Sequence, residues 1–139
     1  MIIVDTNVLS EAMRQRPEPR VAAWLDQQPE AEMFTTAITK AEILFGIEIT
    51  PLGKKRTRLM AGAERIFLGT LSGHILAFDD EAASHYAHIA ALRRAQGREV
   101  QEADAQIAAI ARLHKATLAT RDVSDFEGCG IRVVNPWES

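Results

Sequence analysis

The sequence predicts a three-layer α/β/α domain with a mainly parallel sheet of roughly five strands. Short runs of β-forming residues (IIV, MFTTAI, HILAF, ATLAT and IRVV) alternate with stretches of helical composition. Strands that alternate with helices call for a parallel sheet covered on both faces. The 139 residues, 47% apolar and 25% charged, have ordinary globular usage. That length suits a single domain over residues 1–139, able to bury roughly two-thirds of its unfolded surface.

The elements follow in order. IIV at 2–4 reads as a short buried strand that delivers Asp5, and VLSEAMR at 8–14 has helical composition. RPEPR at 16–20 punctuates the chain; a helix resumes through VAAWLDQ at 21–27, with Pro19 suited to its first turn. MFTTAI at 33–38 is a strand, followed at once by the helix TKAEILFGIEI at 39–49, which stops near Pro51 and Gly53. Residues 54–70 are helical, basic at the start (KKRTR) and apolar at the end (IFLG). HILAF at 74–78 is the third strand, and DEAASHYAHIAALRRAQG at 80–97 is a long helix ending at Gly97. EADAQIAAIARLHK at 102–115 is a further helix; ATLAT at 116–120 and IRVV at 131–134 are the last strands, joined by RDVSDFEGCG.

Composition narrows the function. A net charge of -3 does not advertise nucleic-acid binding, so any polyanion must be met by a local basic patch or a bound cation. The single cysteine, Cys129, excludes an intramolecular disulfide and, between two glycines, reads as a turn or packing residue. MIIV lacks the charged start of a signal peptide, and no apolar run approaches the ~20 residues of a membrane span. These features predict a soluble cytoplasmic protein. His85 and His88 share a helix face but have no zinc-spaced partners, and read as surface or interface residues.

In a parallel sheet, functional groups gather beyond the carboxyl ends of the strands, near a topological switch point. Asp5 follows the first strand, Thr39 and Glu42 follow the second, Asp122 lies two residues past ATLAT, and Asp104 opens the preceding helix. Each acid alone has a structural explanation. Asp5 can cap the helix after it. Glu42 can close a capping box with Thr39 in TKAE. Asp104 can complement a helix dipole, and Asp122 and Asp125 can make Asx-turns. Their conjunction is harder to explain, because crowded carboxylates repel and destabilise the fold unless a cation joins them. An all-carboxylate set suits a hard cation, Mg²⁺ or Mn²⁺. Such a site on an acidic protein suits phosphodiester hydrolysis by a metal-activated water, with an uncommitted carboxylate accepting its proton.

Other acidic sheet edges fit less well. A phosphorylated receiver needs an acidic pair after the first strand and a late lysine, where this chain has Thr6, Asn7 and Arg121. A haloacid-dehalogenase-type phosphatase needs Asp-x-Asp, and Asn7 occupies the second position. A non-catalytic RNA- or partner-binding module is the competing class; it expects Mg²⁺ to have no effect on stability.

VDTNVLSE at the start, AEILFGI at 41–47, EADAQIAAIA at 102–111 and ATRDVSDF at 119–126 occur in the order seen in the PIN-domain ribonucleases. The chain resembles that family over essentially its whole length, including VVNPW, and within it the VapC/FitB-type toxins of bacterial toxin–antitoxin pairs. The resemblance implies that Asp5, Glu42, Asp104 and Asp122 form a catalytic Mg²⁺/Mn²⁺ site. It implies that Asn7 and Thr120 support that site by hydrogen bonding, with Asp125 a secondary ligand candidate. It further implies an RNA substrate, a homodimer, and a small cognate antitoxin whose C-terminal segment blocks the acids.

Two surface features bear on those partners. Leu44, Phe45, Ile47 and Ile49 cannot all face one sheet, so their helix is either doubly buried, under residues 54–70, or covers an interface. Lys54, Lys55, Arg56 and Arg58, with Arg14, Arg16 and Arg20, are either solvated surface or contacts for RNA phosphates. Positive charge at a helix start opposes the dipole, so helix stability does not account for the run. Trp24 and Trp137 read as packing anchors.

Overall fold

The computed structural model describes residues 1–139. β1 (Ile2–Val4) leads into α1 (Thr6–Ala12) and α2 (Pro19–Asp26), and β2 (Met33–Thr36) leads into α3 (Ala37–Glu48) and α4 (Lys54–Glu64). β3 (Ile75–Leu76) leads into α5 (Asp80–Ala95) and α6 (Glu102–Leu113), and β4 (Thr117–Ala119) and β5 (Arg132–Val134) follow. The sheet order is β3-β2-β1-β4-β5, and every pairing is parallel. The chain therefore builds outward from β1 in one direction, then returns to build outward in the other. The switch point lies between β1 and β4.

Alternation along β1 sets the two cores, because successive side chains of a strand point to opposite faces. Ile3 joins Ile89, Ile107, Ile110 and Leu118 under α5 and α6. Val4 joins Val8, Leu9, Val21, Ile43, Ile47 and Phe67 on the other face. Cys129 is buried in the first core, as a packing residue should be. No helix is long and apolar enough to cross a membrane.

Several boundaries differ from the sequence reading. MFTTAI ends as a strand at Thr36, because the Thr36 hydroxyl accepts the Thr39 N–H at 3.1 Å and starts α3 there. The capping box at Thr39 and Glu42 is therefore not formed. HILAF shortens to Ile75–Leu76, which pair only with Thr35 and Thr36. β3 is an edge strand, and once β2 turns into α3 it has no further partner. The 54–70 segment is α-helical to Glu64 and then widens into a π-helical stretch, Arg65–Thr70, that the apolar pattern does not announce. α3 is only half covered: Ile43 and Ile47 are buried, while Phe45 and Ile49 stand exposed, as do Leu52 and Leu68 elsewhere on the surface.

Candidate active site

The register of β1 against β4 makes the site. Ile2, Ile3 and Val4 pair with Thr117, Leu118 and Ala119, so the next residues, Asp5 and Thr120, leave the sheet side by side. Asp5 is buried and is the N-cap of α1. One carboxylate oxygen accepts the Thr6 N–H at 2.8 Å, and the other accepts the Thr120 hydroxyl at 2.7 Å. Capping and site-building are thus the same geometry rather than alternatives.

Thr120 ties three segments together. Its Oγ1 donates to Asp5 and accepts from the Asp122 N–H at 3.1 Å and from Asn7 Nδ2 at 3.3 Å. Asn7 Nδ2 also donates to Asp122 Oδ2 at 3.0 Å, and Asn7 Oδ1 accepts the Arg121 N–H at 3.2 Å. Asp122 therefore uses its carboxylate on Asn7. It caps nothing by side chain, although it precedes the 3₁₀ turn Val123–Phe126.

Glu42 reaches the site because α3 starts at Ala37, which places it in the second turn. Its Oε1 accepts the Thr6 hydroxyl at 2.8 Å, and that hydroxyl lies 3.2 Å from the Thr39 hydroxyl. Asp104, half-buried in the first turn of α6, completes the set. Asp5, Glu42, Asp104 and Asp122 line one cavity of about 530 Å³, with Trp137 its single hydrophobic wall. Asp125 does not line it. It is exposed and lines an adjoining hollow with Asp104, Asp122 and Arg93.

Electrostatics shows how closely these acids gather. Burial pushes the Asp5 carboxyl above its usual value; hydrogen bonds from Thr120 and Thr6 pull it back, and Glu42 and Asp122 push it up again. Asp104 is pushed up to about 6, by burial first and then by the charges of Asp5, Asp125, Glu42 and Asp122. Four other carboxylates therefore act on it. Yet no three His, Cys, Asp or Glu side chains stand close enough to grip one ion directly. The arrangement does not suit zinc, which takes a closed or nearly closed set of protein ligands. It fits a hard divalent cation that keeps much of its water and binds through one or two carboxylates. No histidine or thiol competes among the cavity's walls.

A family model described as PIN domain matches residues 2–127. The chain belongs to the PIN-domain family. It is 41% identical to the VapC ribonuclease Y4jK of Sinorhizobium fredii, over 99% of each chain. It is also 41% identical to the toxin FitB of Neisseria gonorrhoeae, over 99% of each chain. The crystal structure of FitAcB from Neisseria gonorrhoeae superposes with a TM-score of 0.93 at 40% identity, covering 100% of both chains.

Sequence reading of this PIN domain overlooked Thr6 and Glu11. Thr6 holds Glu42, and only its place directly after the strand's acid hints at that role. Glu11 is a buried acid on the cavity wall, where it accepts from Arg14 at 3.0 and 3.2 Å and from the Glu18 N–H at 3.0 Å. Its signal is helical spacing: Asn7, Glu11 and Arg14 recur on one face of α1 and its continuation.

Proposed function

We propose that this chain is a metal-dependent endoribonuclease and the toxin of a type II toxin–antitoxin pair, working in the cytoplasm. The observation that carries the reading is the convergence of Asp5, Glu42, Asp104 and Asp122, from four separate segments, on one cavity at the switch point of the sheet. Homologues named ribonuclease and toxin, similar over nearly their whole length, support it.

Asp5 and Asp122 are the proposed main ligands of Mg²⁺ or Mn²⁺, with Glu42 and Asp104 completing the site. When bound, the cation supplies charge for the phosphate oxygens and lowers the pKa of a water molecule. The residues of the chain do the rest. Thr120 and Thr6 hold Asp5, Asn7 holds Asp122, and Thr6 holds Glu42, so the oxygens stay oriented without a ligand. Asp104 and Glu42, on the cavity wall beside Asp5 and Asp122, are the proposed groups that handle the attacking water and take its proton. Asp125 is a secondary ligand candidate from the adjoining hollow. For partners, FitB-type toxins are held by a cognate antitoxin. The uncovered apolar side of α3 supports a homodimer.

The test is cleavage of total bacterial RNA by purified protein in Mn²⁺ or Mg²⁺. Discrete fragments are expected, lost in EDTA and lost in Asp5→Asn, a change that keeps a capping side chain. Fragments that persist in both controls would mean that the activity belongs to a contaminant or to another site.

A further inference from the structure

A second cavity opens beside the acidic one, and its walls carry the opposite charge. It holds about 440 Å³ between the end of α1 and the start of α4, and Arg14, Arg16, Lys55 and Arg58 line it with no acidic residue among its walls. Ser10 and Arg14 line both cavities, so the two are contiguous. Arg14 is held at that junction by both oxygens of buried Glu11. Arg16, Lys55 and Arg58 take part in no ion pair of the molecule.

A chain of net charge -3 has no shortage of carboxylates to pair with cations. Leaving three of them together and unpaired in one hollow is an electrostatic cost that a polyanion would relieve. Helix stability does not select them either, since Lys55 sits in the first turn of α4, where positive charge opposes the dipole. No aromatic side chain lines the hollow, so it can grip phosphates but offers no platform for stacking bases.

We infer that this hollow is a subsite for the phosphate backbone of single-stranded RNA flanking the bond cut in the acidic cavity. The inference rests on the ribonuclease reading and divides the basic residues. Lys55 and Arg58, three apart on α4, face the hollow with Arg14 and Arg16. Arg56 is engaged with Glu48 at 3.1 Å, Arg20 donates to the Trp137 carbonyl at 3.3 Å, and Lys54 does not line the hollow.

The experiment is fluorescence anisotropy of a labelled single-stranded oligoribonucleotide, titrated at several salt concentrations with the full chain carrying Asp5→Asn to prevent cutting. Adding Lys55→Ala and Arg58→Ala should reduce the slope of log affinity against log salt by about 1.4, at about 0.7 per phosphate contact, and weaken low-salt binding about tenfold or more. The control pair Lys115→Ala and Arg132→Ala removes the same charge from a second basic hollow, at the starts of β4 and β5, which shares no wall residue with the acidic cavity. It should leave the slope unchanged. Equal slopes for the two double variants would overturn the inference. Neither Lys55 nor Arg58 makes a side-chain hydrogen bond or ion pair, so both variants should fold, and a thermal melt checks that. Binding is read without cleavage, so the two readings fail separately. RNA bound through the hollow but never cut would count against the nuclease; RNA cut with an unchanged slope would count against the hollow.

Discussion

Asp104 is the residue whose protonation reports on the whole acidic cluster. Its carboxyl moves from an ordinary 3.8 up to about 6 in the folded chain. The native state thus holds that proton more tightly than the unfolded state, and stability falls as pH rises between those two values before levelling off. Because the side chain is half exposed, the penalty after solvent screening is about 1 kcal/mol. Asp104→Asn should remove it: in EDTA near neutral pH the variant should melt about 3 °C above the parent, and the two should converge near pH 4. A melt equal to or below the parent's at neutral pH would mean that the acids do not press on Asp104. The acids themselves were legible in the sequence because each follows a strand or opens a helix. Their holders were less so: Asn7 and Thr120 entered through a resemblance. Thr6 is a threonine like any other until the fold brings α3 to it.

At the scale of the element, the start of α3 decides what Glu42 does. Thr36 and Thr39 both precede helical residues, and local pattern cannot choose between two threonines three apart. Tertiary pairing chooses. Thr36 is fixed by its place in β2 opposite Leu76, and the Thr35 hydroxyl is tied to the Val4 carbonyl at 2.8 Å. Thr36→Ala should therefore cost about 1 kcal/mol through the lost cap, read as a fall in the urea midpoint. Glu42→Ala, which removes any side chain able to close a box with Thr39, should lower that midpoint clearly less than Thr36→Ala does. A fall with Glu42→Ala matching that with Thr36→Ala would restore the capping box at Thr39. The same interplay explains β3: HILAF at 74–78 reads as a longer strand than an edge position beside a four-residue β2 can pair.

Across the whole molecule, the alternation of strand and helix made the layers legible, but not the strand order. Nothing local in IIV says that it is the central strand, because that depends on pairing with residues more than a hundred positions away. A ligand that binds only the folded state stabilises it by mass action. Millimolar Mg²⁺ or Mn²⁺ should therefore raise the melting temperature of the unmodified chain by several degrees and that of Asp5→Asn by less. Identical melts with and without cation would favour the non-catalytic binding module. The central place of β1 also bears on how the protein is born. Thr120 follows its partner Asp5 by 115 residues, so at ordinary synthesis rates it and Asp122 leave the ribosome seconds after Asp5 does. Until then β1 has one of its two sheet neighbours at most, and the acidic cavity lacks a wall. A chain interrupted before Thr120 therefore lacks both the hydroxyl that holds Asp5 and the Asp122 carboxylate, and the acidic site assembles only when synthesis has passed β4.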